Sequence, residues 1–135
     1  VFITSKGGDE ELCKLAGIYK TEIRDVMILG GGRIGRKTSK SLTKVSERFN
    51  VKLIENNKER AFELADRLPN TLVIKGDGRN VELLEEENIS EMDAFIAVTG
   101  NSETNIISSL VAKNKGVKKP LLWLRIWTTL SSHLL

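Results

Sequence analysis

Residues 26–35 read VMILGGGRIG, and residues 51–55 read VKLIE. A short apolar run enters a glycine-rich turn, a helical stretch follows, and a second apolar run ends on a carboxylate. Few folds accommodate that order. The spacing G-x-G-x-x-G falls on Gly30, Gly32 and Gly35, and Glu55 lies 25 positions past Gly30. Gly30 permits a tight strand-to-helix turn. Gly32 lets the backbone approach a pyrophosphate, and Gly35 lets the helix pack closely on the strand. The helix N-terminus offers free N–H groups to phosphates, and Glu55 offers acceptors to a ribose diol.

Downstream of this turn, strand and helix patterns alternate. Strands are expected at Asp25–Leu29, Val51–Glu55, Thr71–Lys75, Ala94–Val98 and Leu121–Arg125. A helix is expected from Arg33 to about Ser46, with Ile34, Leu42 and Val45 at helical spacing. A second spans Lys58–Leu68, with Ala61, Leu64, Ala65 and Leu68 on one face and Pro69 beyond it. A short helix over Val81–Glu87 is capped by Asn80. The last helix is capped by Ser102, carries an apolar stripe of Ile106, Ile107, Leu110 and Val111, and ends at Gly116. The strands are continuous apolar runs, as expected when helices cover both faces of a parallel sheet. The fold class is therefore α/β, a Rossmann-like doubly wound parallel sheet with right-handed crossovers. Ligands of such sheets lie beyond the strands' carboxyl ends. Those ends read GGGRIG, ENN (55–57), GDG (76–78) and TGN (99–101), all glycine-rich or small and polar.

With 135 residues, the chain has material for one core. The net charge of +3 is mild and not gathered into one run, which gives no sign of nucleic-acid binding. The single cysteine, Cys13, excludes an internal disulfide and fits a reducing compartment. No run reaches the roughly 18 apolar residues of a membrane span, and VFITSKGGDEE has no signal-peptide layout. Metal-ligand spacings are absent, and the one histidine, His133, stands apart from the strand ends. No catalytic set is visible, so the pattern points to a binding module and not to an enzyme. Asp77 doubles as a turn former, Arg33 as a surface cation and Asn105 as part of a cap.

The segments VMILGGGRIG, LIENNKERAFELADRLPNTLVIKGDGRNVELLEEENI and DAFIAVTGNSETNIISSLVAKNKGVKK together carry a resemblance. From about Arg24 to Lys119 the chain resembles the RCK, or KTN, nucleotide-binding domains that regulate potassium channels and Trk-type potassium-uptake systems. The resemblance implies a cytoplasmic Rossmann domain at the inner face of the membrane, binding NAD(H) or, in some members, ATP/ADP. It implies a homo-oligomer (a dimer building a tetramer or ring) on a membrane-embedded potassium transporter subunit, gated by ligand exchange. By position, Gly30, Gly31, Gly32, Arg33, Ile34 and Gly35 match the phosphate loop, and Glu55, followed by Asn56, the ribose-binding acid. Asp77 and Gly78 match the adenine-side turn, and Thr99 and Gly100 the contact after the fourth strand. The family often has alanine or serine at Gly78 and an acidic residue or serine at Gly100, so side-chain contacts there are not carried over.

Residues 1–24 read as the tail of a preceding domain plus a linker, with a strand remnant at Val1–Ile3 and a helix over Asp9–Leu15, and residues 25–119 read as the nucleotide-binding domain, the second of a tandem pair. Residues 120–135, PLLWLRIWTTLSSHLL, contain no acidic residue although the chain has 18, and read as a fifth strand or an out-of-frame tail. The missing start methionine reads as a piece of something longer. Two other functions fit the glycine pattern: the cofactor-binding fragment of an NAD-dependent dehydrogenase, and a dimerisation module without ligand. Glu55 implies NAD(H) over NADP(H), because its charge repels a 2′-phosphate.

Overall fold

Val26 and Ile28 pack in one hydrophobic cluster, Met27 and Leu29 in another. A strand that buries both its faces has helices on either side, and that arrangement organises the molecule. The computed structural model describes residues 2–4 and 23–123. In chain order the elements are β1 (Phe2–Thr4), β2 (Asp25–Leu29), α1 (Arg33–Val45), β3 (Asn50–Glu55), α2 (Lys58–Arg67), β4 (Thr71–Lys75), α3 (Val81–Glu86), β5 (Ala94–Ala97), α4 (Ser102–Asn114) and β6 (Lys119–Trp123). A 3₁₀ turn at Ile89–Glu91 leads into β5.

All six strands are parallel, in the order β4-β3-β2-β5-β6-β1. The expected Rossmann-like α/β class is thus the observed one. One core layer joins Val26, Ile28, Leu53 and Ile96 to Leu42 of α1 and Leu64 of α2. The other joins Met27, Leu29, Ile54 and Phe95 to Leu84 of α3 and Ala112 of α4. Leu29 pairs with Ile54 on one side and Ala97 on the other. The carboxyl ends of β2, β3 and β5 are therefore flush, and their loops leave from one edge. The chain order reverses between β2 and β5, so the switch point lies where the Gly30 and Thr99 turns meet.

Several local expectations are corrected. The strand remnant expected at Val1–Ile3 is Phe2–Thr4, a sixth strand of the same sheet paired with β6. The fifth strand expected at Leu121–Arg125 runs instead from Lys119 to Trp123. Helix α1 turns Val45 outward and buries Thr38, Ser39 and Leu42; the Ser39 and Thr71 hydroxyls, 2.6 Å apart, satisfy each other there. Ala65 of α2 faces solvent, while Ala61, Leu64 and Leu68 are buried. Asn101, not Ser102, caps α4, its Oδ1 accepting the Thr104 N–H at 2.9 Å. Asn80 caps α3 as expected, accepting from Glu82 and Leu83. Gly116, at φ +95°, follows α4 in the left-handed conformation that ends helices.

The largest departure is α4. Its expected apolar stripe points away from the sheet: Ile106, Ile107 and Leu110 are exposed, and only Val111 packs inward. Asn105, Ser108, Ser109 and Ala112 are buried instead. Small side chains let the helix sit close on the sheet, and Ser108 satisfies its hydroxyl on the Thr104 carbonyl at 2.7 Å. Residues 9–15, among them Cys13, and Arg125 and His133 lie outside the described residues.

Candidate nucleotide-binding crevice

Gly30 takes φ +107°, which a side chain disfavours, and a Cβ there would stand 2.9 Å from the Thr99 nitrogen. Its own N–H donates to the Ile54 carbonyl at 2.8 Å, so the turn is pinned to β3. At Gly35 a Cβ would overlap the Gly30 carbonyl oxygen. Gly32 differs, with open space where its Cβ would be. It is the N-cap of α1 and provides no side-chain cap, and the first turn holds no acidic residue. The free N–H groups and positive dipole end of a 13-residue helix therefore meet that space unopposed.

The space is a crevice of about 390 Å³. Its floor is Leu29, Ile54 and Val98. Gly30, Gly32, Glu55 and Asn56 line it, as do Gly76, Asp77, Gly78, Thr99 and Gly100. Eight of the twelve site residues named from the sequence thus share one cavity. The other four do not line it. Gly31 is buried, because a Cβ there would strike Leu64, and its N–H serves Glu55. Gly35 packs on Gly30, Ile34 packs on the α1–α2 core layer, and Arg33 is exposed beyond the lining.

Glu55 is not a solvated strand-end acid, since its side chain is only 8% exposed. Oε2 accepts the Gly31 N–H at 2.6 Å, Oε1 accepts the Asn57 N–H at 3.1 Å, and Arg60 Nη1 lies 3.6 Å from Oε1. Asp77 is built into its own turn. Its Oδ1 accepts the Arg79 main-chain N–H at 2.9 Å and Nε at 3.2 Å, and its Oδ2 accepts Nη2 at 3.0 Å. These bonds, the side-chain ones foremost, hold the Asp77 carboxyl below its ordinary range.

Residues 26–133 match the TrkA-N domain family. The chain belongs to that family. It is 49% identical over 96 residues to the Trk system potassium uptake protein TrkA of Vibrio alginolyticus, covering 71% of this chain and 20% of that protein. The TrkA of Halomonas elongata is 43% identical over 100 residues, covering 74% and 21%. A TrkA homolog of Methanosarcina mazei is 45% identical over 94 residues, covering 70% and 21%. The chain thus spans about a fifth of the length of these relatives. Among solved structures, glucose dehydrogenase of Haloferax mediterranei superposes with a TM-score of 0.54 at 18% identity, covering 79% of this chain and 30% of that one. That likeness is one of fold.

Some residues of this TrkA-N domain escape the glycine pattern. Arg60, Arg79 and Thr104 also line the crevice, as does Asn101 of the TGN segment. Asn57, the α2 cap, is the signal that puts Arg60 in a first turn beside Glu55, and Arg79 directly follows G-D-G. Fully buried Asn105 works from behind. Its Oδ1 accepts the Thr99 N–H at 2.9 Å and the Thr99 hydroxyl at 2.6 Å, and its Nδ2 donates to the Thr99 carbonyl at 3.1 Å. The expected cap residue is thus a clamp on the Thr99 turn. No group of three or more histidine, cysteine or acidic residues suited to a metal occurs among the described residues. None of their helices is long and apolar enough to cross a membrane.

Proposed function

We propose that this TrkA-N domain is the nucleotide-sensing unit of a Trk-type potassium-uptake regulator, with NAD(H) as its ligand and ATP/ADP as the second candidate. One observation carries the reading. The uncapped N-terminus of α1 and the open space at Gly32 face the same crevice as the buried Glu55 carboxylate. Dipole and free N–H groups suit a pyrophosphate, and a fixed carboxylate suits a ribose diol. Membership of the TrkA-N family and relatives named as Trk system potassium uptake proteins favour a regulatory binding module over a dehydrogenase fragment. In this reading the two ligand states bind two shapes of a homo-oligomer with different free energies. That difference is what gates a membrane-embedded potassium subunit from its cytoplasmic side. The exposed Ile106, Ile107 and Leu110 on α4 support self-association. The relatives' greater length supports a place for this domain as one unit of a longer regulator.

Titration calorimetry with NAD+, NADH, ATP and ADP tests the proposal. Binding of at least one of them, weakened by Glu55→Ala with the fold intact, is expected. Absence of binding at millimolar concentration would sink it.

A further inference from the structure

Arg60 reaches the crevice from the first turn of α2, where its main-chain N–H donates to Asn57 Oδ1 at 2.9 Å. Its guanidinium faces a carboxylate of a different kind. Glu55 is fixed by two backbone N–H bonds and is 8% exposed, whereas the Arg60 side chain is 54% exposed and touches Glu55 at 3.6 Å. The anion is built in, while the cation is half in water and able to change partner. The guanidinium of the crevice's other added cation, Arg79, is held by two hydrogen bonds to Asp77.

Bare and phosphorylated riboses make opposite demands at this end of a dinucleotide site. A 2′,3′-diol needs acceptors, and a 2′-phosphate needs a cation, best a guanidinium. Here both groups stand side by side. We infer that Arg60 is a specificity-determining residue. Glu55 holds it out of use toward 2′-phosphorylated ligands, and it becomes their phosphate receptor once the Glu55 charge is removed. This rests on reading the crevice as a dinucleotide site. A plain loss of repulsion at Glu55 would not need Arg60, so the two explanations separate.

The test is the NADPH-to-NADH affinity ratio of the whole chain, measured by competition titration for the native protein, Glu55→Gln, Arg60→Gln, the double variant and Glu55→Gln/Arg60→Lys. Melting curves monitor folding. Glu55→Gln is expected to move the ratio toward NADPH by about tenfold, a size typical of directly interacting side chains. Arg60→Gln in that background should remove most of the gain, Arg60→Lys should return part of it, and added salt should erode it. A double variant that keeps the full gain overturns the inference and leaves the dinucleotide reading standing. If no variant binds either dinucleotide, both fall. Should Glu55→Gln fail to fold, Arg60→Glu takes its place. Placing a second carboxylate beside Glu55 is expected to shift the ratio further toward NADH, and an unchanged ratio overturns the inference.

Discussion

Gly32 and Gly35 stand three residues apart under opposite constraints. A methyl group at Gly35 would overlap the Gly30 carbonyl, whereas one at Gly32 would enter empty space. Gly35→Ala is therefore expected to cost about 1–3 kcal/mol in urea denaturation, as overpacked sites do. Gly32→Ala should melt close to the native protein yet bind its nucleotide about tenfold more weakly, a loss of about 1.4 kcal/mol. Equal destabilisation by the two would contradict this division. The turn role of Gly30 and the packing role of Gly35 were legible because they follow from local backbone geometry. Arg60 and Asn105 were not, because their roles come from partners brought near by folding: Glu55 for one, the Thr99 turn for the other. Gly31 was legible as a glycine, but not the reason for it, which is the Leu64 side chain on a later helix.

At the scale of the element, α4 is the instructive case. Helical periodicity identified the helix and its apolar stripe, but a stripe does not say which way it faces. The small residues Ser108, Ser109 and Ala112 took the sheet side because they allow a close approach, leaving Leu110 59% exposed. Leu110→Glu is expected to lower self-association in sedimentation velocity without lowering the melting temperature. An early-melting variant would mean that Leu110 is a core residue. Helices α1 and α2 kept most of their expected inner faces, since Leu42, Leu64 and Leu68 meet the sheet's apolar runs directly.

Across the whole molecule, the parallel order was legible from continuous apolar strands and regular alternation. The place of β1 was not, because a three-residue strand carries little signal and its partner β6 lies at the far end of the sequence. The amino ends of the strands are tied as well. Asp93, just before β5, accepts the Arg24 and Asp25 N–H groups at 2.9 and 3.0 Å through Oδ2. The Asp25 bond foremost holds the Asp93 carboxyl below its ordinary 3.8. A depressed carboxylate adds stability above its unfolded value and loses it as pH falls through the folded one. Asp93→Asn should thus be less stable than the native chain at neutral pH, by about 1 kcal/mol. In urea titrations the gap should close from about pH 4 downward. A gap that persists at pH 2 would mean that the charge is irrelevant.

The glycine turn is held at several points: Gly30 to Ile54, Gly31 to Glu55, and Gly35 against the Gly30 carbonyl. Such a turn is an anvil and not a hinge. A ligand pressed against it cannot be registered by bending it. On the proposed reading, displacement on binding is expected on the side of the crevice lined by Arg79 and Thr104 of the first turn of α4, the helix that carries the outward apolar face.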